Sequence, residues 1–299
     1  GMSRVFVDTE TSLNRPVVLK VLPPDLAQMQ STDRFRREIE VSARLQHPHI
    51  VPLLTAGVVD GLLYYTMPLI EGESLRARLE KSGELPVEEA RRLLRDVADA
   101  LVYAHEHGVI HRDIKPDNVL VTAGHAVVTD FGVAKAMSES AGPAGESGIT
   151  SVGFAIGTPV YMAPEQGLAD PTTDHRADIY AFGVLAYELL SGQPPFTGRS
   201  SAALIAAHAA EAPEPLALRR PELPAGLAAL VMRCLAKRPA DRPQSARDVV
   251  NALDSLSTPA GGTAQMVAPP RATRPIRRWA GVVVLVLAAV TAWFLLTKR

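Results

Sequence analysis

Residues 111–118 read HRDIKPDN, and the tripeptide DFG follows at 130–132. Transfer of a phosphoryl group asks little covalent chemistry of a protein. It does need a carboxylate that orients the attacking hydroxyl and cations that neutralise the phosphate charges. Asp113 could accept the hydroxyl proton, and Lys115 could hold the transferred group. The stretch therefore indicates phosphoryl-transfer chemistry.

Other residues on either side of this stretch complete such a site. Asn118 and Asp130 offer oxygen ligands, which suit a hard cation such as Mg²⁺. Upstream, Lys20 lies in the β-rich run 16–22 and could bind the α- and β-phosphates of a nucleotide. Glu38, on the next predicted helix, could pair with Lys20 and hold it in place.

The hydrophobic pattern predicts a β-rich first part and a helical second part. The β-rich part has strands at 5–7, 16–22 and 62–67 and one helix at 32–45. After about residue 73, apolar residues at helical spacing predict helices at 88–108, 175–192, 226–236 and 245–256. The expected fold class is α+β with two lobes, and the cleft between them is a usual place for a small ligand.

Taken in order, these motifs resemble the eukaryotic-like Ser/Thr protein kinases of bacteria over about residues 1–256. The resemblance rests on VVLK (17–20), Glu38, EGESL (71–75), HRDIKPDN (111–118), DFG (130–132), GTPVYMAPE (157–165), DIYAFGVLAYELLSG (178–192) and Arg242. It implies the bilobal protein-kinase fold, with a small lobe at 1–67, a hinge at 68–72 and a large lobe at 73–256.

The same resemblance implies a set of roles. ATP with Mg²⁺, or Mn²⁺ in its place, would donate the phosphoryl group to Ser and Thr hydroxyls of proteins, this chain included. Asp113 looks like the catalytic base, with Lys115 and Asn118 as catalytic partners and Asn118 and Asp130 as metal ligands. The residues implied to bind the nucleotide are Val5, Lys20, Glu38, Met67, Leu69 and Asp130.

Several other matches are implied to be structural. Glu165 and Arg242 would form a buried ion pair on the substrate side, and Asp178 would brace the backbone of the catalytic loop. His111 and Phe131 would belong to the core, so His111 is not expected to be catalytic.

The segment 133–157 is rich in Gly, Ser and Ala and corresponds to the activation loop of the family. We expect autophosphorylation at Thr150 or Ser151, with Ser147 a weaker candidate, because Arg112 could pair with a phosphate there. The alternative is that these residues only keep a loop soluble. Activation in trans would require a transient homodimer.

The chain departs from the family pattern at its beginning. Aligned on Val5, Ser3 stands at the third glycine of the Gly-rich loop, and the first strand and first two glycines have no counterpart. We therefore expect a fragment or a misplaced start. Val18 stands where the family usually has alanine against the adenine ring, and its extra methyl groups could crowd the purine.

The C-terminal part predicts a membrane anchor. Residues 279–296 contain no charge and no proline. As a helix at about 1.5 Å per residue they would be about 27 Å long, close to the hydrocarbon thickness of about 30 Å. The Pro-, Gly- and Arg-containing stretch 257–278 predicts a juxtamembrane linker, which could touch anionic lipid. Arginines before the apolar run outnumber the basic residues after it, which predicts a single-pass protein of the inner (plasma) membrane with a cytoplasmic kinase domain. The alternative is a buried core helix.

Composition excludes several classes. The chain has 31 Lys and Arg against 32 Asp and Glu, a net charge of -1, which argues against a generally basic nucleic-acid binder. Its 1 cysteine, Cys234, excludes an intramolecular disulfide and a cysteine-based zinc site.

Two other functions stay open. A membrane-tethered pseudokinase would bind partners without turnover, as the missing glycines favour. A small-molecule kinase sharing the ATP lobe is the weaker alternative, because the APE segment and Arg242 belong to the architecture for protein substrates.

Overall fold

The small lobe is a four-stranded antiparallel sheet built from short runs of β-branched and aromatic residues. A computed structural model of the protein describes residues 4–22, 39–131 and 159–256. In the spatial order β1-β2-β4-β3, the strands are β1 (Arg4–Glu10), β2 (Arg15–Val21), β3 (Thr55–Val59) and β4 (Leu62–Pro68).

The register of this sheet decides which side chains share a face. Val5 lies opposite Lys20, and Lys20 lies opposite Tyr65 on the next strand. Val18, two residues before Lys20, lies opposite Met67. Residues directly opposite in an antiparallel pair, and residues two apart along one strand, point to the same face. These five residues therefore project from one face of the sheet.

The structure confirms the strands predicted at 5–7, 16–22 and 62–67. It also contains β3, which was not predicted from the sequence. Asp60 and Gly61 join β3 to β4 with φ values of 49° and 75°. Two positive φ values in an Asp-Gly loop are typical of a type I′ hairpin. The Asp60-Gly61 dipeptide could therefore have predicted this hairpin, and β3 with it. Of the helix predicted at 32–45, only residues from 39 onward are described. Residues 39–42 are helical, so the helix ends three residues earlier than predicted.

The large lobe is mainly helical and packs around one buried helix, α4. The helices are α1 (Leu75–Ser82), α2 (Val87–Glu106), α3 (Pro164–Gly167), α4 (Arg176–Ser191), α5 (Ser201–Ala210), α6 (Leu216–Arg219), α7 (Ala225–Cys234) and α8 (Ala246–Ser255). Every residue of α4 from Ala177 to Leu190 is buried, and Gly192 ends the helix at φ 76°. The four helices predicted in this lobe are confirmed, with ends within two residues of those expected.

A second, three-stranded sheet carries the chain through the motif region. Its strands, in the order β5-β6-β7, are β5 (Glu73–Ser74), β6 (Val119–Thr122) and β7 (His125–Val128). HRDIKPDN lies between α2 and β6, and DFG follows directly after β7. Because β6 pairs with β7, Asn118 and Thr129 lie side by side at their ends, and the Thr129 N–H donates to the Asn118 carbonyl at 2.9 Å.

A glycine inside α4 allows the close approach of α7, and its replacement tests that packing. A Cβ at Gly183 would lie 2.8 Å from the Cβ of Cys234 and 3.2 Å from the backbone carbon of that residue. We expect Gly183→Ala to lower the free energy of unfolding by about 1–2 kcal/mol, because overpacking costs more than alanine gains in helix propensity. Urea denaturation followed by circular dichroism measures the change.

Gly226 in α7 is the matched control. A Cβ there meets the Cδ2 atom of Leu256 at 2.6 Å, which is the far end of a side chain that can rotate away. Gly226→Ala is therefore expected to be neutral or stabilising by up to about 1 kcal/mol. Equal losses in the two variants would contradict the packing argument.

The linker and the membrane segment predicted at 257–278 and 279–296 lie outside the described residues. Among the helices within 4–22, 39–131 and 159–256, none is both long and apolar enough to cross a bilayer.

Candidate active site

The catalytic-loop residues Asp113, Lys115 and Asn118 form one hydrogen-bonded group. The Lys115 ammonium donates to Asp113 Oδ2 at 2.7 Å. The Asn118 amide donates to Asp113 Oδ2 at 2.9 Å and to the Asp113 carbonyl at 2.8 Å. The 3₁₀ turn Pro116–Asn118 folds the loop back so that these contacts can form. The structure thus brings together the three residues predicted to be catalytic.

The ring of His111 fixes the start of the loop from inside the core. Its Nε2 lies 2.8 Å from the Thr129 carbonyl, and its Nδ1 accepts from the Asp113 backbone N–H at 3.2 Å. Because a carbonyl can only accept, Nε2 carries the proton and Nδ1 is free to accept. The ring is fully buried and packs edge-on against Phe131, with centroids 4.6 Å apart. The core role predicted for both rings is confirmed.

Asp178, at the start of α4, holds the backbone of the same loop. Its carboxylate accepts from the N–H groups of His111 at 2.8 Å and Arg112 at 2.7 Å, and from His105 Nε2 at 2.8 Å. Burial opposes ionisation, but the hydrogen bonds from the His105 side chain and the His111 backbone act against it, and the pKa of Asp178 is lowered. Arg112 has φ 68°, which a non-glycine residue adopts only where its surroundings enforce it. The predicted bracing role is confirmed.

Lys20 and Asp130 join the two lobes. The Lys20 ammonium lies 2.6 Å from Asp130 Oδ2, although 110 residues separate them in the chain. Tyr65 donates its hydroxyl hydrogen to Asp130 Oδ1. Burial would raise the pKa of Asp130, but the Lys20 charge and these hydrogen bonds together lower it, so the carboxylate is ionised at neutral pH. If Lys20 and Asp130 bind one nucleotide triphosphate together, their side chains must lie close to each other, and they do.

Tyr65 was not among the predicted site residues. The sequence could have predicted it: in the strand LLYYTM, Tyr65 lies two residues before the predicted site residue Met67 and so points to the same face of the sheet. Its hydroxyl is also the group that fixes the second oxygen of Asp130.

Two of the predicted nucleotide-binding residues, Val5 and Met67, lie on the same sheet face as Lys20. Val5 is 58 % exposed directly opposite Lys20, as expected for an apolar surface that a ligand could cover. Met67 lies beside Val18 on β4, and the chain then leaves the sheet at Pro68, which places Leu69 in the predicted hinge.

The Glu165–Arg242 pair predicted from the motifs is present and buried. Arg242 donates two parallel hydrogen bonds to the Glu165 carboxylate, at 2.6 and 2.8 Å. Its remaining donors reach the backbone carbonyls of Ala236, Arg176 and Lys237 at 2.8 to 2.9 Å. This pair ties α3 to the loop after α7.

A second polar network, around Arg76, was not predicted from the sequence. Arg76 of α1 donates to Glu188 of α4 at 2.8 Å and to the hydroxyl of Tyr161, which itself donates to Glu188. Arg76 also lies 3.5 Å from Asp117 in the catalytic loop. It therefore links the loop to the segment that follows residue 158.

Four predicted residues lie outside the described ranges: Glu38, Ser147, Thr150 and Ser151. The expected Lys20–Glu38 pair and the phosphorylation sites therefore stay predictions.

The donor set at Asn118 and Asp130 fits a hard cation that shares its ligands with phosphate. Both hydrogen bonds of the Asn118 side chain use its nitrogen, which leaves its amide oxygen as the group available for a metal. Within the described ranges, no group of three or more His, Cys, Asp or Glu side chains could hold a metal ion unaided. Mg²⁺ bound to one or two protein oxygens and to substrate phosphates matches this pattern.

Comparison with known proteins connects this geometry to a family. Residues 1–253 match the protein kinase domain. The chain is 41 % identical over 264 residues to the serine/threonine-protein kinase PknD of Mycobacterium tuberculosis, covering 86 % of this chain and 38 % of that protein. It is 37 % identical over 255 residues to PknB of Mycobacterium leprae, covering 83 % and 40 %. The chain thus spans about two fifths of the length of these relatives.

A solved structure of Rad53 residues 1–466 in complex with AMP-PNP has the same fold. The TM-score is 0.68 at 23 % identity, with 84 % of this chain and 61 % of that chain covered. Because the family match runs through both lobes and includes every residue of the site just described, the chain belongs to the protein kinase family.

Proposed function

We propose that the protein is a serine/threonine protein kinase that transfers the γ-phosphoryl group of ATP to hydroxyls of proteins. The contact of Lys20 with Asp130 carries the proposal, because it places a phosphate-binding cation and a metal-binding carboxylate from different lobes at one point. The similarity to PknD and PknB supports the choice of Ser and Thr as acceptors.

In this function the catalytic loop orients the acceptor. Asp113 holds the attacking hydroxyl and accepts its proton, while Lys115, 2.7 Å from the same carboxylate, stabilises charge on the transferred group. Asn118 fixes the carboxylate by donating to it, and the core ring of His111 fixes the backbone of Asp113. Positioning of this kind supplies most of the rate enhancement in phosphoryl transfer.

On the nucleotide side, Lys20 would bind the α- and β-phosphates, and Val5, Met67 and Leu69 would contact the adenosine. Mg²⁺, or Mn²⁺ in its place, would be held by Asp130 and Asn118 and would neutralise phosphate charge. Lys20 and Asp130 form an ion pair with each other, which keeps the phosphate-side cation next to the metal-side carboxylate.

The test is transfer of radiolabelled phosphate from [γ-³²P]ATP to a generic basic protein, followed by phosphoamino-acid analysis. We expect phosphoserine and phosphothreonine, dependence on a divalent cation, and loss of transfer in Lys20→Met. Nucleotide binding without transfer would instead identify a pseudokinase. Phosphate that appears only on small molecules would identify a small-molecule kinase.

We propose in addition that the chain phosphorylates itself at Thr150 or Ser151 through a transient homodimer. The support is the presence of both hydroxyls in the loop between DFG and APE and of Arg112 next to Asp113. Mass spectrometry of ATP-treated protein measures this. Absence of phosphate from residues 138–151 would remove the proposal.

We propose finally that residues 279–296 tether the kinase domain to the cytoplasmic face of the plasma membrane. The support is the uncharged apolar run and the arginines that precede it. Fractionation of cells that express the full chain should place it in the membrane pellet and release it only with detergent. A variant lacking 279–296 should move to the supernatant, and a soluble full chain would contradict the tether.

A further inference from the structure

Lys237, in the loop after α7, has an unusual environment for a lysine. It is half-buried, with its ammonium 4.8 Å from the centre of the Phe196 ring and 5.8 Å from that of Tyr180. Its two hydrogen bonds are long, 3.3 Å to the Ala207 carbonyl and 3.4 Å to the Tyr180 hydroxyl. These contacts join α4, α5 and the loop, but they provide only neutral partners.

The other lysines of the described ranges all have a carboxylate partner. Lys20 pairs with Asp130 at 2.6 Å, Lys81 with Glu73 at 2.7 Å and Lys115 with Asp113 at 2.7 Å. Within the same ranges no carboxylate forms an ion pair with Lys237. Its protonated form therefore has aromatic and neutral hydrogen-bond contacts but lacks the ion pair that the other three have.

Of the charges around Lys237, Arg242 opposes its protonation and Glu211 favours it. Arg242 is a second cation at the Tyr180 ring, with its guanidinium carbon 4.9 Å from the ring centre. The nearest acidic influence, Glu211, is bound to Arg199 at 2.6 Å, and the imidazole of His208 is buried against Tyr180. Burial first, and Arg242 second, lower the pKa of Lys237 to about 8.

A desolvated lysine beside another cation is the arrangement that makes an amine nucleophilic at neutral pH. The geometry points to Lys237 as a site of covalent acylation by small activated acyl groups, namely acyl phosphates or acyl thioesters. The unprotonated amine attacks the acyl carbon, so that a C–N bond forms and the bond from acyl carbon to oxygen or sulfur breaks. Phosphate or thiolate leaves with the electron pair, and one proton passes to solvent.

The test is acetylation of the native full chain at neutral pH with limiting acetyl phosphate in one arm and a small acetyl thioester in the other. Peptide mapping by mass spectrometry gives the occupancy at each lysine. We expect about tenfold more acetyl at Lys237 than at Lys81, which is 71 % exposed but paired with Glu73. The arm with the higher occupancy identifies the donor.

Two controls relate the effect to the folded structure. In concentrated guanidinium chloride the preference for Lys237 should vanish, since both lysines are then solvated. In the native protein, labelling of Lys237 should reach half its maximum near pH 8. Lys237→Arg keeps the cation beside Phe196 and should lose only that acetylated peptide.

Equal occupancy at Lys237 and Lys81 in the native chain would overturn the inference. So would a preference that survives unfolding, because it would then come from local sequence. The readout is a mass and does not depend on phosphoryl transfer, so the inference stands or falls separately from the proposed function.

Discussion

Replacing Asp113 by asparagine is expected to lower kcat for phosphoryl transfer by about 10³-fold, while the KM for ATP stays nearly constant. The amide has the shape of the carboxylate and can still accept from Asn118, which now donates to Asp113 Oδ2 at 2.9 Å. It has no basic oxygen to take the hydroxyl proton and no charge to hold Lys115. Steady-state kinetics with labelled ATP, together with thermal unfolding of both proteins, measure the loss.

Asp117→Asn is the matched control, because it removes a carboxylate from the same loop. Asp117 has a 51 % exposed side chain, and within the described part of the chain its ion pair is with Arg76, at 3.5 Å from Nε. We expect a change in kcat of less than about threefold. If Asp113→Asn and the unmodified protein transferred phosphate at equal rates, any transfer would have another source, and the pseudokinase alternative would gain support.

Replacing Arg242 by methionine is expected to lower the free energy of unfolding by about 3–5 kcal/mol. The guanidinium is fully buried and the Glu165 side chain is 8 % exposed, so the variant leaves a carboxylate without its counter-ion away from water. The carbonyls of Ala236 and Lys237 also lose their donor. For a domain of this size the loss corresponds to a fall in Tm of about 10 °C, measurable by scanning calorimetry.

An exposed pair on the same lobe provides the comparison. Arg247 and Glu106 are 3.0 Å apart with side chains 53 % and 58 % exposed. Arg247→Met should cost less than about 1 kcal/mol because water replaces the lost partner. The double variant Glu165→Met with Arg242→Met should recover part of the loss by removing the unpaired charge. Equal effects of the buried and the exposed single variants would show that desolvation is not the cause.

Much of the small lobe was predictable because its strands follow a local rule. Runs rich in β-branched and aromatic residues identified β1, β2 and β4, and the two-residue period of a strand puts Val5, Lys20 and Met67 on one face once the strands pair. β3 escaped because its five residues include a glycine and form no longer run of this kind. Its hairpin loop Asp60-Gly61 was the stronger signal, since only a few residue pairs tolerate two positive φ values.

The helices of the large lobe were also predictable, for a different reason. α2 has apolar residues on one side and the buried α4 has them all round, so both are evident without knowledge of their neighbours. Which buried polar groups would meet was not evident from periodicity. The Arg76–Glu188–Tyr161 network joins α1, α4 and the segment after residue 158, and its members have no sequence relation to one another.

The residue types of the site, their order, and the strands and helices that carry them could be predicted, because they depend on local periodicity and on motif spacing. The contact of Lys20 with Asp130 across 110 residues comes from three-dimensional packing. The same packing holds Arg112 and Asp130 at φ values of 68° and 66° and leaves Lys237 beside aromatic rings with no carboxylate partner among the described residues. Such features arise from packing between distant segments, where burial and neighbouring charge are set by elements that local sequence does not specify.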